Sequence, residues 1–236
     1  MRTIGMKIVA LIAVSCCVVF AQEENSTAVQ AIPAEGQSRA GLRIYGHFSP
    51  SIPVTDDWFS YVESYPALEG GLALEISGGT VLWLRLEGCY TALPSGGVLK
   101  SGDAMWLSAG PLVRRKISDA CEITVGPQLT FGRVAAKGAF ILEEGDTGRY
   151  RIEFDDNGSG IGISIVGGLE FEVNRFLRLG AQIAMVYFGV KNEQAKIVGY
   201  DLDNPEEPGE KGTYNYLGEY AAVSLRLVIG FDPSGL

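Results

Sequence analysis

The feature of this sequence that most constrains its fold is a two-residue periodicity that recurs in eight separate segments. In each segment, apolar side chains alternate with polar, small or charged ones, which is typical of a β-strand with one apolar face. In the last segment, Leu225, Leu227, Ile229 and Phe231 alternate with small residues and with Arg226. The eight segments are roughly 39–49, 66–77, 80–93, 104–117, 121–136, 159–173, 176–190 and 216–231. We therefore predict an all-β chain.

The connections between these segments alternate in length. The long ones, after every odd-numbered segment, are 50–65, 94–103, 137–158 and 191–215. The short ones, after segments two, four and six, are 77–80, 118–120 and 174–175. Outer-membrane barrels keep short turns at one end and long loops at the other, and tilted membrane-spanning strands need about 9–11 residues. The predicted fold class is all-β, an eight-stranded antiparallel up-and-down transmembrane β-barrel with long loops on one end and short turns on the other.

The polar faces of the segments carry equal numbers of positive and negative side chains. In the phase that turns the apolar face towards lipid, the inward residues are Arg43, Glu69, Glu75, Arg85, Glu87, Arg114, Lys116, Glu122, Glu170, Glu172, Arg178 and Arg226. Charges enclosed in a narrow lumen must pair, because an unpaired buried charge is costly. We expect a lumen ion-pair network. A sheet whose polar face meets bulk water, with ordinary mixed charge, is the alternative.

Aromatic residues on the apolar face fall near the ends of the segments. Four lie towards the long-loop end and two towards the other: Phe48, Tyr90, Phe131 and Tyr187, then Phe171 and Phe231. Such bands are typical of the girdles at the two membrane interfaces.

The N-terminus has the pattern of an export signal. Arg2 and Lys7 precede the apolar run "IVALIAVSCCVVF", and Val19-Phe20-Ala21 offers a small-residue cleavage site. We expect a signal peptide over 1–21, a flexible leader over 22–38, the barrel over 39–231 and a C-terminal tail over 232–236. A lipoprotein signal at Cys16 or Cys17 is the alternative.

Net charge excludes one class of partner. The formal charge is −9, and loss of the two cations in the signal makes it −11. Such a chain repels phosphate backbones, so no nucleic-acid partner is expected. The long connections 50–65, 137–158 and 191–215 each carry −3, so any extracellular ligand or partner is expected to meet acidic loops.

The alternation of the last segment, its near-terminal Phe231, the export signal and the connection lengths together resemble those of the small OmpA/OmpX/OmpW-type eight-stranded outer-membrane barrels. The resemblance covers residues 39–231. It implies a location in the bacterial outer membrane, contact with outer-membrane lipid, and assembly by the barrel assembly machinery, which reads the last strand. It also implies a structural or interaction role, or a narrow channel such as OmpW-like proteins are thought to be.

Chemistry-bearing residues are few. His47 is the only histidine, and Ser49 follows it by two residues, as a base and a nucleophile could. This pair leaves open a lipid-modifying enzyme, but without an identifiable third residue we predict a non-enzymatic protein. The acidic stretches "FDDNGSG" and "YDLDNPEEPGE" read as solvated loops, and we expect neither metal nor cofactor. A soluble ligand-binding barrel with inverted faces is the remaining alternative.

Overall fold

The computed structural model of the chain describes residues 41–53, 66–77, 81–93, 95–96, 98–143, 149–204 and 209–233. These residues form eight antiparallel strands: β1 Gly41–Pro53, β2 Ala67–Ser77, β3 Leu82–Leu93, β4 Leu99–Ser118, β5 Cys121–Glu143, β6 Arg149–Asn174, β7 Leu177–Asp201 and β8 Glu210–Phe231. Each strand pairs with its neighbours in sequence, and β1 pairs with β8. The predicted fold class is therefore confirmed. The expected signal peptide and leader, and residues 234–236 of the tail, lie outside the described residues.

Closure of the barrel is made by the first and last strands. The β1–β8 ladder runs from Ile44 opposite Phe231 to Pro53 opposite Ala222. In lipid, an open sheet edge would leave backbone N–H and C=O groups without partners, so a membrane-spanning sheet must close. Among the described residues, no helix has the length and apolarity to cross a membrane.

Apolar side chains cover the outer surface of the barrel. Leu72, Leu107, Ile161 and Leu227 are 67–71% exposed, although each lies within a regular strand. Exposed apolar surface on this scale marks contact with another apolar phase, and a barrel meets lipid in this way. The outer surface is therefore the reverse of that of a soluble barrel, which turns polar side chains to water.

Four strands continue well beyond the predicted boundaries. The segments predicted as loops 137–158 and 191–215 are largely strand, because β5 runs to Glu143, β6 starts at Arg149, β7 runs to Asp201 and β8 starts at Glu210. The ladders continue through this region, from Lys137 opposite Asp155 to Gly199 opposite Glu210. We call this four-stranded extension of β5–β8 the projecting sheet. The sequence pattern does not predict the projecting sheet, because strands in water need no lipid-facing apolar side. The alternation of apolar residues therefore ends before the backbone pairing of the strands ends.

The half of the interior nearest the projecting sheet is filled by apolar side chains. The apolar cluster consists of Ala67, Cys89, Leu93, Leu99, Ala104, Trp106, Val134, Ala136, Val186, Phe188, Val190, Tyr220 and Ala222, with Phe154 packed against it. The Tyr220 ring lies between Phe188 and Trp106, at centroid distances of 5.0 and 6.0 Å. Gly132 faces the Phe188 ring so closely that a Cβ would overlap it. This end of the lumen is therefore occupied by closely packed apolar side chains.

Candidate functional site in the barrel interior

The half of the interior nearest the short turns holds a network of charged side chains to which every strand contributes. Ten of the twelve residues predicted for this network are buried: Arg43, Glu69, Glu75, Arg85, Glu87, Arg114, Glu122, Glu170, Arg178 and Arg226. Five are arginines and five are glutamates, so the charges of these ten residues balance. An eight-stranded barrel has just enough room for such side chains.

Arg114 lies at the centre of this network. Its guanidinium contacts Glu75 through Nε at 3.0 Å and through Nη2, and it contacts Glu170 Oε2 at 2.9 Å. Glu122 Oε2 lies 3.2 Å from Nη1. Tyr45 accepts a hydrogen bond from Nη2 and donates one to Glu170, both at 2.8 Å. The guanidinium is thus surrounded by partners, as a buried charge must be.

Two further arginines extend the network towards the apolar cluster. Arg85 contacts Glu75 at 2.8 Å and Glu87 at 3.1 Å. Arg226 contacts the same Glu87 at 2.7 Å and Glu69 at 2.8 Å. Shared carboxylates therefore join Arg114, Arg85 and Arg226 into one continuous chain of ion pairs, in which each member fixes the next.

At the turn end the network reaches the mouth of the barrel. Arg43 lies 2.9 Å from Glu122 and 3.4 Å from Asp232. Arg178 lies 3.2 Å from Glu122 and 2.7 Å from Glu172. The backbone N–H of Asp232 also donates to Phe176 O at 2.9 Å, so the start of the tail is held against this mouth.

Two of the predicted network residues are not enclosed. Glu172 is exposed at the mouth, although it pairs with Arg178. Lys116 is exposed as well, and none of the ion pairs found among the described residues includes it. The strand phase turns Lys116 inward, but the β4–β5 ladder is irregular between Lys116 and Ser118, and the residue lies beside the turn. Its assignment to the lumen network is therefore wrong.

His47 lies deeper than the sequence suggested. The first predicted segment, 39–49, leaves His47 near its end, but β1 continues to Pro53 and the His47 side chain is fully buried. Its Nε2 lies 3.3 Å from Glu69 Oε1 and 3.7 Å from Cys89 Sγ, and its Nδ1 lies 3.5 Å from Glu87 Oε1. Gly71, opposite His47 in the ladder, leaves the space that the ring occupies, since a Cβ there would overlap the imidazole.

Several neutral side chains that sequence reasoning did not assign also belong to the site. Tyr45 bridges Arg114 and Glu170, and Gln182 Nε2 donates to Glu170 at 3.1 Å. Trp83 stacks on Arg43, whose guanidinium carbon lies 4.5 Å from the ring centroid. The two-residue alternation could have predicted them, because each lies on the same face of its strand as a charged residue of the network.

The predicted interface aromatics lie on the outer surface. Phe48, Tyr90, Phe131, Phe171 and Phe231 are exposed, and Tyr187 is half-buried. The ladder brings Phe48 and Tyr90 to the same level, since both lie opposite Gly70. Phe231 lies at the other end and packs near Phe176, at a centroid distance of 6.5 Å. Their position at the membrane interfaces stays a prediction.

Comparisons with known proteins support the architecture. No protein-family model matches the sequence, and no curated protein matches it either. Among solved structures, the chain is similar to Neisserial surface protein A, with 9% identity and a TM-score of 0.54 over 80% of this chain and 96% of that one. It also matches Ail of Yersinia pestis (11% identity, TM-score 0.48, 82% and 99% covered) and OprG of Pseudomonas aeruginosa (8%, 0.45, 84% and 97%).

Identity this low speaks to the fold alone. The fold comprises eight strands, a closed ladder, an apolar outer surface and a filled interior. The chain therefore has the fold of the small eight-stranded outer-membrane β-barrels.

Proposed function

We propose that this protein is a non-enzymatic outer-membrane β-barrel with a closed lumen, which serves a structural or interaction role. The observation that carries the proposal is that the interior is occupied at two successive levels. Arg114, Arg85 and Arg226 fill the turn half through shared carboxylates. Trp106, Phe188 and Tyr220 fill the other half. A permeating ion would have to displace the side chains of both levels. This obstruction argues against the alternative function, a narrow channel.

The position of His47 supports a non-enzymatic role. A lipid-modifying enzyme needs its base and nucleophile within reach of an acyl chain. The His47 side chain is fully enclosed, and Ser49 is buried on the same inward face of β1. Neither side chain meets the lipid-facing surface.

The projecting sheet is the surface that this barrel offers to the exterior and to an extracellular ligand or partner. Much of its charge is paired locally: Lys137 with Asp155 at 2.8 Å, Arg151 with Glu153 at 2.7 Å and Arg149 with Asp203 at 3.5 Å. The other partners of the barrel are outer-membrane lipid, at its apolar surface, and the barrel assembly machinery during biogenesis. Export proceeds by signal cleavage near Ala21, which N-terminal sequencing of the membrane-inserted protein tests.

Conductance in planar lipid bilayers tests the closed lumen. We expect the wild-type barrel to give no discrete conductance steps. A variant with Trp106→Ala and Phe188→Ala, which empties much of the apolar cluster, serves as the sensitised comparison, because only the ionic level then remains. Steady unit conductance in the wild type would contradict the proposal and make the protein a narrow channel.

A further inference from the structure

We propose that His47, Cys89 and Glu69 form a binding site for a divalent transition-metal ion, with Zn²⁺ as the expected occupant. The three side chains project from β1, β3 and β2, at the boundary between the ionic network and the apolar cluster, to which Cys89 itself belongs. An imidazole nitrogen, a thiolate sulfur and a carboxylate oxygen form a donor set that zinc accepts in proteins.

Two of the distances between the donor atoms match a tetrahedral ion, those from the imidazole nitrogen to the carboxylate and to the thiolate. With Zn–N and Zn–O bonds of about 2.0–2.1 Å and Zn–S bonds of about 2.3 Å, tetrahedral angles place an N and an O roughly 3.3 Å apart and an N and an S roughly 3.6 Å apart. His47 Nε2 lies 3.3 Å from Glu69 Oε1 and 3.7 Å from Cys89 Sγ. The imidazole nitrogen is therefore placed to share an ion with the carboxylate and with the thiolate.

Two buried polar atoms at this place lack a hydrogen-bond partner among the described residues. They are Glu69 Oε2 and His47 Nδ1, and both side chains are at most 1% exposed. A buried oxygen without a partner is costly. Glu69 Oε1 accepts from Arg226 at 2.8 Å and from Ser224 at 3.2 Å, whereas Oε2 accepts from neither, so the carboxylate keeps lone pairs for an ion.

Glu87 faces the second ring nitrogen of His47, which a metal-bound histidine uses as a hydrogen-bond donor. A ligating imidazole nearly always donates its second N–H to a carboxylate, carbonyl or water, which fixes the tautomer and the ring orientation. Glu87 Oε1 lies 3.5 Å from His47 Nδ1, on the side of the ring away from Glu69. The ligand atoms of His47, Glu87 and Cys89 all lie within 4.8 Å of one another.

The charges at the site are also compatible with a divalent ion. Arg226 bridges Glu69 and Glu87 and places Nη2 3.5 Å from Cys89 Sγ. When Cys89 binds an ion it loses its proton. A divalent ion then offsets the thiolate and shares the charge of Glu69 with Arg226, while Glu87 is paired with Arg226 and Arg85.

The burial of the site indicates at which stage of folding an ion enters it. The site lies between the apolar cluster and the chain of arginines, so an ion arrives while the strands assemble rather than through the closed barrel. Zinc present during folding should be retained, whereas zinc added to the folded barrel should bind far more slowly.

Metal content of the protein purified without a histidine tag tests the site. The protein is refolded in detergent with Zn²⁺, treated with a chelating resin, and its zinc is measured by mass spectrometry. We expect about one zinc per folded barrel, and at least a roughly tenfold loss in His47→Gln and Cys89→Ser, since each removes a ligand. Cys121→Ser is the matched control, because Cys121 is the other free cysteine of the described strands and its loss should leave the zinc content unchanged.

A second measurement separates loss of metal from loss of fold. Heat-dependent gel migration reports how much of each variant is folded, and zinc is expressed per folded barrel. Refolding the wild type with Co²⁺ should give a thiolate-to-metal charge-transfer band, which needs no variant. A folded wild type without zinc and without this band would overturn the proposal. Equal zinc in wild type, His47→Gln and Cys89→Ser would also overturn it, by placing the metal elsewhere.

Discussion

The Arg114 guanidinium and the Glu170 carboxylate lie 2.9 Å apart in the centre of the barrel, and the Tyr45 hydroxyl hydrogen-bonds to both. All three side chains are buried. Together, Arg114, Glu170 and Tyr45 fix the relative positions of β4, β6 and β1, which are not neighbours in the sheet. In this half of the lumen, the contacts between strands that are not neighbours are therefore made by charged side chains.

Removal of the central charge should destabilise the barrel strongly. Arg114→Met keeps the approximate length of the side chain but leaves Glu75 and Glu170 without their main partner, and breaking a buried pair in this way costs about 3–5 kcal/mol. Lys116→Met, on the same strand but exposed, should change the free energy of unfolding by less than about 0.5 kcal/mol. Urea unfolding in lipid vesicles, followed by tryptophan fluorescence, measures both. Equal unfolding midpoints for the two variants would refute the role of Arg114.

The apolar cluster makes a separate prediction about packing. Gly132→Val places a side chain where the Phe188 ring lies, and overpacking of this kind costs about 1–3 kcal/mol. In a Phe188→Ala background the same change should cost far less, because the space has been vacated. A double-mutant cycle of unfolding free energies measures the coupling. If Gly132→Val costs the same in both backgrounds, the two residues do not meet.

The projecting sheet should lie outside the cell. In a Cys121→Ser background, Asp203→Cys places a thiol on the projecting sheet and Asp119→Cys places one at the β4–β5 turn. A maleimide on a polymer too large for porins should label Asp203→Cys on intact cells. It should label Asp119→Cys only after the outer membrane is disrupted. The reverse labelling pattern would mean that the barrel is inserted the other way round.

Glu153, on the projecting sheet, should titrate below the ordinary value of its side chain. A hydrogen bond from Lys100 Nζ at 3.3 Å, followed by the charges of Lys100 and Arg151, lowers the pKa of this carboxyl from 4.5. Because the folded-state pKa is lowered, the stabilisation is present above the unfolded-state pKa and is lost as the pH falls through the lowered one. Carboxyl ¹³C NMR titration should show the pKa rising in Lys100→Ala. An unchanged titration in that variant would show that the contact does not persist in solution.

The interior charges were predictable from the sequence where the strands are regular. Arg85 and Arg226 alternate with leucines, so the alternation shows which side of the strand each arginine occupies. An unpaired charge in a narrow lumen is costly, so these inward arginines are expected to pair with carboxylates. The inward assignment of Lys116 is wrong because alternation does not predict the direction of a side chain beside a turn. There the ladder is irregular and the side chain is exposed to solvent.

Other features could not be read from one strand at a time. The depth of His47 depended on how far β1 continues, and its contacts with Glu69 and Cys89 depend on the register of three strands. Trp106 and Phe188 face inward by alternation, but their meeting with Tyr220 is set by barrel closure. The projecting sheet lacks the lipid-facing pattern on which the strand boundaries were based.

The central claim is that the outward apolar face of the strands meets lipid and that the opposite face, with its charged network and apolar cluster, fills the lumen. Paramagnetic broadening of methyl signals tests it most directly. In vesicles containing a lipid with a nitroxide near the end of its acyl chain, exposed Leu107 and Leu227 should broaden strongly. Leu112, on the same strand as Leu107, and Val228, next to Leu227, are buried and should stay sharp. Broadening of Leu112 and Val228 with sharp Leu107 and Leu227 signals would contradict the account.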